Sequence, residues 1–207
     1  MDPEYKTIPK GFFLRWVIFT IVGVIVGLSV GAFGDHFVNK IYIGDKNIVL
    51  GFILGATVGL AQLMVLEKRI TIKGSWMLPC SIGMGLPFIV DVILIEAGIK
   101  FHDLPYSFIV IGTVGGFIAG LFQWRVFSPH SEIPGLWIIA SPIGWGLCFA
   151  SIKGPLGLAG NVILGAVALS LTTGIVVMMM LKSPEHYEQF EEDPQERNQT
   201  FDRSQYG

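Results

Sequence analysis

Residues 51–86 read GFILGATVGLAQLMVLEKRITIKGSWMLPCSIGMGL, and residues 112–147 read GTVGGFIAGLFQWRVFSPHSEIPGLWIIASPIGWGL. Laid on each other without a gap they share Gly51/Gly112, Gly55/Gly116, Gly59/Gly120, Leu60/Leu121, Gln62/Gln123, Val65/Val126, Ile72/Ile133, Gly74/Gly135, Trp76/Trp137, Ile82/Ile143, Gly83/Gly144, Gly85/Gly146 and Leu86/Leu147. Thirteen identities in 36 positions point to an internal duplication. Each copy is an apolar run, a polar link and a second apolar run opened by tryptophan, the pattern of one helix returning as another.

Outward from this pair, a tryptophan followed seven residues later by glycine recurs at Trp16/Gly23, Trp76/Gly83 and Trp137/Gly144, with the tryptophans 60 and then 61 residues apart. That interval holds two spans of ~20 residues and two short loops. The remaining copy is more degraded: Thr20 stands where Cys80 and Ser141 stand, and Ser170 and Gly174 fall on Gly55 and Gly59 after a connection six or seven residues shorter. Apolar stretches at 12–33, 48–66, 76–99, 108–127, 137–152 and 158–181 then predict an all-α membrane domain over 12–182, made of hairpins 12–66, 76–127 and 137–181. Because each unit crosses twice, all copies enter the membrane in one direction, which predicts a six-helix bundle with pseudo-threefold symmetry about the membrane normal.

Composition agrees. Of 207 residues, 52% are hydrophobic and only 14% charged, with a mean hydropathy of +0.62. That excludes a soluble domain and leaves no basic surface for nucleic acid, so the expected partner is the lipid bilayer. The first apolar stretch follows Lys6, Lys10 and Arg15 but outruns a signal-peptide core, and reads as a retained helix. Lys6, Lys10, Arg15, Lys68, Arg69, Lys73, Arg125 and Lys182 fall on the side of the termini, against Lys40, Lys46, Lys100 and Lys153 opposite. Both the N-terminal segment 1–11 and the C-terminal segment 183–207 are therefore expected in the cytoplasm. The latter, with Glu185, Glu188, Glu191, Glu192, Asp193, Glu196 and Asp202, is too acidic to bury a core and is expected to be a disordered, solvated tail.

Within the spans, Gly51, Gly55 and Gly59, and likewise Gly112, Gly116 and Gly120, form stripes that drift by only ~40° per step, so they are expected to be helix-packing positions. Gln62 and Gln123 share those faces and are expected to bond a neighbouring helix; the functional alternative is a polar ring along a pathway. Trp16, Trp76 and Trp137 open the odd helices and read as interface anchors with the indole N–H among head groups. Arg125 lies on the face opposite Gln123, where it can snorkel. Asp91 is the exception: ~22 Å along its helix from Trp76, it lies in the apolar core, where an ionisable group is costly. Its counterparts are Gly31 and Ile152. With Pro87 one turn earlier and Glu96 ~140° round the helix, it marks a candidate intramembrane polar site. The structural alternative is a protonated Asp91 bonded to a neighbouring helix or reaching outer water.

Asp35–His36 and His102–Asp103, in two outer loops, fall short of a metal-ligand spacing, so no metal or cofactor is expected. Cys80 and Cys148 lie at different depths, which argues against a disulfide. No phosphate loop, nucleophile elbow or HExxH motif is present, and nothing in the sequence reads as an enzyme.

The segments FLRWVIFTIVGVIVG, GLAQLMVLEK, SWMLPCSIGMG, GLFQWRVF, LWIIASPIGWG and ILGAVALSLTTGIVVMMML give the chain, over 12–182, the look of a family of small polytopic membrane proteins common in cyanobacteria and some other bacteria. It departs from that pattern at Leu63, at Met84 and in the acidic tail. The resemblance implies a membrane location, plasma or thylakoid, and no mechanism. Two functions remain as expectations: a non-enzymatic subunit or scaffold of a larger membrane complex that contacts another membrane protein, or a small-solute or ion transporter with its site near Asp91.

Overall fold

The structure is a computed structural model of the chain, and it describes residues 10–41, 47–70, 72, 76–99 and 101–182. The N-terminal nine residues and the segment 183–207 lie outside the described residues. Among the described residues six α-helices follow one another: α1 (Phe12–Ile41), α2 (Ile48–Leu66), α3 (Met77–Glu96), α4 (Ser107–Phe127), α5 (Leu136–Ala150) and α6 (Gly157–Lys182). No strand occurs among the described residues. Each helix packs on its neighbours in sequence, and α1 packs on α6, so the bundle closes into a ring.

Five helices are long and apolar enough to cross a membrane; α5 is not one of them. Its 15 residues span only ~22 Å against a hydrocarbon core of ~30 Å, so the expectation of six full-length spans is met by five. α1 departs in the other direction. Its 30 residues run beyond the expected end at 33, placing Asp35 and His36 inside the helix rather than in a loop. α3 stops where the expected span continues to 99, because Gly98 adopts a left-handed φ of 80° and the amide of Ile99 folds back onto the carbonyl of Leu94 at 2.8 Å.

Small residues set the spacing of the ring. A Cβ on Gly51 would lie 2.8 Å from the Met84 carbonyl oxygen, and one on Gly59 would lie 2.9 Å from the Met77 Cα, both on α3. On α4, a Cβ on Gly112 would come within 2.6 Å of the Trp145 carbonyl oxygen, and one on Gly116 within 2.7 Å of that of Ser141, both on α5. Gly27 and Gly31 of α1 sit equally close to Leu54 and Leu50 of α2. Where lipid gives helices little hydrophobic reason to associate, such backbone proximity lets dispersion and polar bonds hold them. Pro87 lies inside α3 without ending it. The Gly83 carbonyl, which proline deprives of its helical partner, lies against Gly115 of α4.

Candidate functional site

The two ends of the ring differ. At the end where α1 begins and α6 finishes, Phe12, Trp16, Leu66, Trp76, Phe127, Trp137, Val177 and Met180 form one buried cluster. Trp16 and Trp76 have no exposed surface and Trp137 has 1%. This corrects the reading of Trp16, Trp76 and Trp137 as interface anchors: the rings face one another, not the head groups. Trp137 lies edge-on to Trp16 at 6.1 Å and tilted against Trp76 at 5.5 Å.

Burying an indole N–H requires a partner, and each is supplied by the preceding helix round the ring. Trp76 Nε1 donates to Gln62 Oε1 at 3.4 Å, and Trp137 Nε1 donates to Gln123 Oε1 at 2.9 Å. Gln123 also donates through Nε2 to Cys80 Sγ at 2.8 Å and to the Trp76 carbonyl at 3.5 Å. The two glutamines therefore join helices: Gln62 bonds Trp76, and Gln123 bonds Trp137, Cys80 and the Trp76 backbone.

The third tryptophan has no glutamine, since Val177 occupies that place. Trp16 Nε1 donates instead to Thr173 Oγ1 at 3.1 Å, while that hydroxyl donates to the Leu169 carbonyl at 2.7 Å. Thr173 was not singled out by the sequence reading; the missing third glutamine was the signal that some other acceptor had to exist near it. Thr20, at the position of Cys80 and Ser141, is fully buried. Its hydroxyl has no hydrogen-bond partner among the described residues. Removing a buried unsatisfied hydroxyl recovers its desolvation cost, so Thr20→Val is expected to stabilise the bundle by about 1 kcal/mol. Its unfolding midpoint in mixed micelles checks this; a midpoint below the parent's would show that the hydroxyl has a partner.

Asp35 is a second correction. It is buried, and instead of standing in a loop beside His36 it caps a neighbouring helix. The Val49 amide donates to Oδ1 and the Leu50 amide to Oδ2, each at 3.1 Å. These are orphan donors of the first turn of α2, whose own Asn47 makes no side-chain cap. A carboxylate is well matched to that positive helix end. Asp35→Ala is expected to cost about 1–2 kcal/mol, read in the same unfolding assay; an unchanged midpoint would contradict the capping role. Among the described residues, no three His, Cys, Asp or Glu side chains gather where a metal could be held. Cys80 and Cys148 are both buried free thiols.

Asp91 is half-buried on α3, seven residues after the core residue Met84, and Glu96 at the end of the same helix is exposed. Arg125 is exposed on α4.

The opposite end of the ring is hollow. A cavity of about 540 Å³ lies on the bundle axis, walled by Leu28 of α1, Leu54 of α2, Phe88 of α3, Phe108 of α4, Phe149 of α5 and Val162 of α6. Its floor is the pair Phe88–Phe149, 6.2 Å apart, above the core residues Met84, Trp145 and Leu169. Asp91 does not line it. The volume falls within the ~300–1,000 Å³ of small-molecule clefts. Its lining is mostly apolar, and apolar walls do not retain water.

Comparison of the chain with family models, curated proteins and solved structures gives no match.

Proposed function

We propose that this helical, apolar chain acts as a non-enzymatic integral membrane protein, a subunit or assembly scaffold of a larger membrane complex. Its architecture in this reading is three tandem hairpins around a pseudo-threefold axis, with both termini cytoplasmic in a bacterial plasma or thylakoid membrane. The observation that carries it is the use made of the interior polar groups. Gln62, Gln123, Ser81, Ser141 and Thr173 are engaged in bonds between helices or to backbone, which holds the ring together and, among the described residues, leaves no row of groups to pass a solute along. The short α5 fits the same reading, because a span that falls short of the bilayer leaves a local defect that a neighbouring protein can cover.

The transport reading called for an internal, water-filled cavity beside Asp91. The axial cavity is apolar and Asp91 is outside its lining, so the scaffold is preferred. Purification in mild detergent tests it. A scaffold brings down a stoichiometric second membrane protein; a chain that elutes alone, at its own mass and from its native membrane, counts against this function.

A further inference from the structure

We propose that the axial chamber is a binding site for one hydrocarbon tail of a membrane lipid, which enters sideways between α1 and α6. The inference rests on the reading of the chain as a membrane protein and goes beyond its role in a complex.

The position of the mouth follows from exposure around the wall. Leu54, Phe88 and Phe149 of α2, α3 and α5 are buried, whereas Ile25, Ser29 and Ala32 of α1 and Leu158, Ala159 and Ile163 of α6 are exposed. The seam between α1 and α6 is stitched at the other end, where Trp16 bonds Thr173 and Gly174 lies against Trp16 and Phe13. Towards the chamber no hydrogen bond joins the two helices among the described residues, and the gap faces the zone where both are continuous apolar spans. What waits outside that gap in a bilayer is hydrocarbon.

The lining selects the same occupant. Among the described residues, Ser29 and Asn47 supply its polar side chains, and the Ser29 hydroxyl already donates to the Ile25 carbonyl at 2.8 Å. A polar solute would find its groups unmatched. Asn47 is exposed and immediately precedes α2, so it stands at the rim, where a head group lies, while the aromatic floor lies deeper. A helix from a partner is too thick, since at a diameter of ~10–12 Å a single turn would take up the chamber. A lone acyl chain is slender enough to reach Phe88 and Phe149.

The test uses the full chain in vesicles of phosphatidylglycerol and phosphatidylcholine carrying a photoreactive diazirine near the acyl terminus, with adducts mapped by mass spectrometry. Adducts on Phe88 and Phe149, which lipid around the protein cannot touch, are expected beside those on outward residues such as Leu14 and Ile139. Ala32→Phe and Ala159→Phe, placed on opposite lips of the mouth, should each lower the inner-wall adducts by about tenfold, since excluding even two methylenes weakens occupancy by that factor. Outward adducts should not change, which also reports that the variants are folded. Outward adducts without inner ones overturn the chamber site and leave the membrane reading standing. Inner adducts unmoved by both variants overturn the route between α1 and α6. Absence of adducts anywhere overturns the membrane reading and this site with it.

Discussion

Trp137→Ala is expected to lower the stability of the bundle by about 3–5 kcal/mol, the usual cost of emptying a large aromatic site in a core. Trp137 touches Trp16 and Trp76, and its ring also lies 5.1 Å from that of Phe127, so truncation opens a hole among rings from α1, α3 and α4 at once. It also leaves the buried Gln123 Oε1 without its 2.9 Å donor. Trp137→Phe separates the two contributions: it keeps most of the ring volume and should cost about 1–3 kcal/mol, chiefly from the stranded amide oxygen. Reversible unfolding by dodecyl sulfate in mixed micelles measures both, with Trp124→Ala as the control because that ring is 36% exposed. If Trp137→Ala unfolds no earlier than Trp124→Ala, the cluster does not hold the ring closed.

Gly116→Val is expected to cost about 2–4 kcal/mol, combining overpacking with a lost hydrogen bond. Its Cβ would lie 2.7 Å from the Ser141 carbonyl oxygen and 2.8 Å from the Pro142 Cα. Both belong to backbone, which cannot rotate out of the way, so α5 itself has to move. The same displacement breaks the bond from Ser141 Oγ to the Gly116 carbonyl at 2.7 Å. Gly135→Ala is the matched control: nothing lies within 4 Å of its Cβ, its φ of −61° suits any residue, and its effect should stay within about 0.5 kcal/mol. Equal midpoints for the two variants would mean that the glycine stripe does not set the distance between α4 and α5.

Helix placement was legible because it depends on local properties that a sequence carries openly. The second apolar stretch is expected at 48–66 and α2 is Ile48–Leu66. What remained hidden depends on partners distant in sequence. An amphipathic ring such as tryptophan suits a head-group boundary and a satisfied core equally well, and only the acceptors Gln62, Gln123 and Thr173, brought from other helices, decide for the core at Trp16, Trp76 and Trp137. Asp35 looked like a loop residue because acidic side chains rarely continue an apolar helix. Its two backbone donors at the start of α2 compensate its burial, and no pattern within α1 announces them. The hollow end had no signature at all, since a cavity is a property of six helices together and its wall residues are ordinary leucines, valines and phenylalanines.

The pair Trp16 and Thr173 is separated by 157 residues, and this sets an order on how the protein comes to exist. At ~5–20 residues per second, on the order of ten seconds pass on the ribosome between the making of Trp16 and that of Thr173. Throughout that interval the nascent first helix carries an indole whose final acceptor has not been synthesised. The early hairpins can assemble on their own glycines and glutamines, but the circle is completed only when the sixth helix arrives beside the first. A chain truncated before Thr173 would thus retain most of its pairwise helix contacts and still present an open flank to membrane quality control.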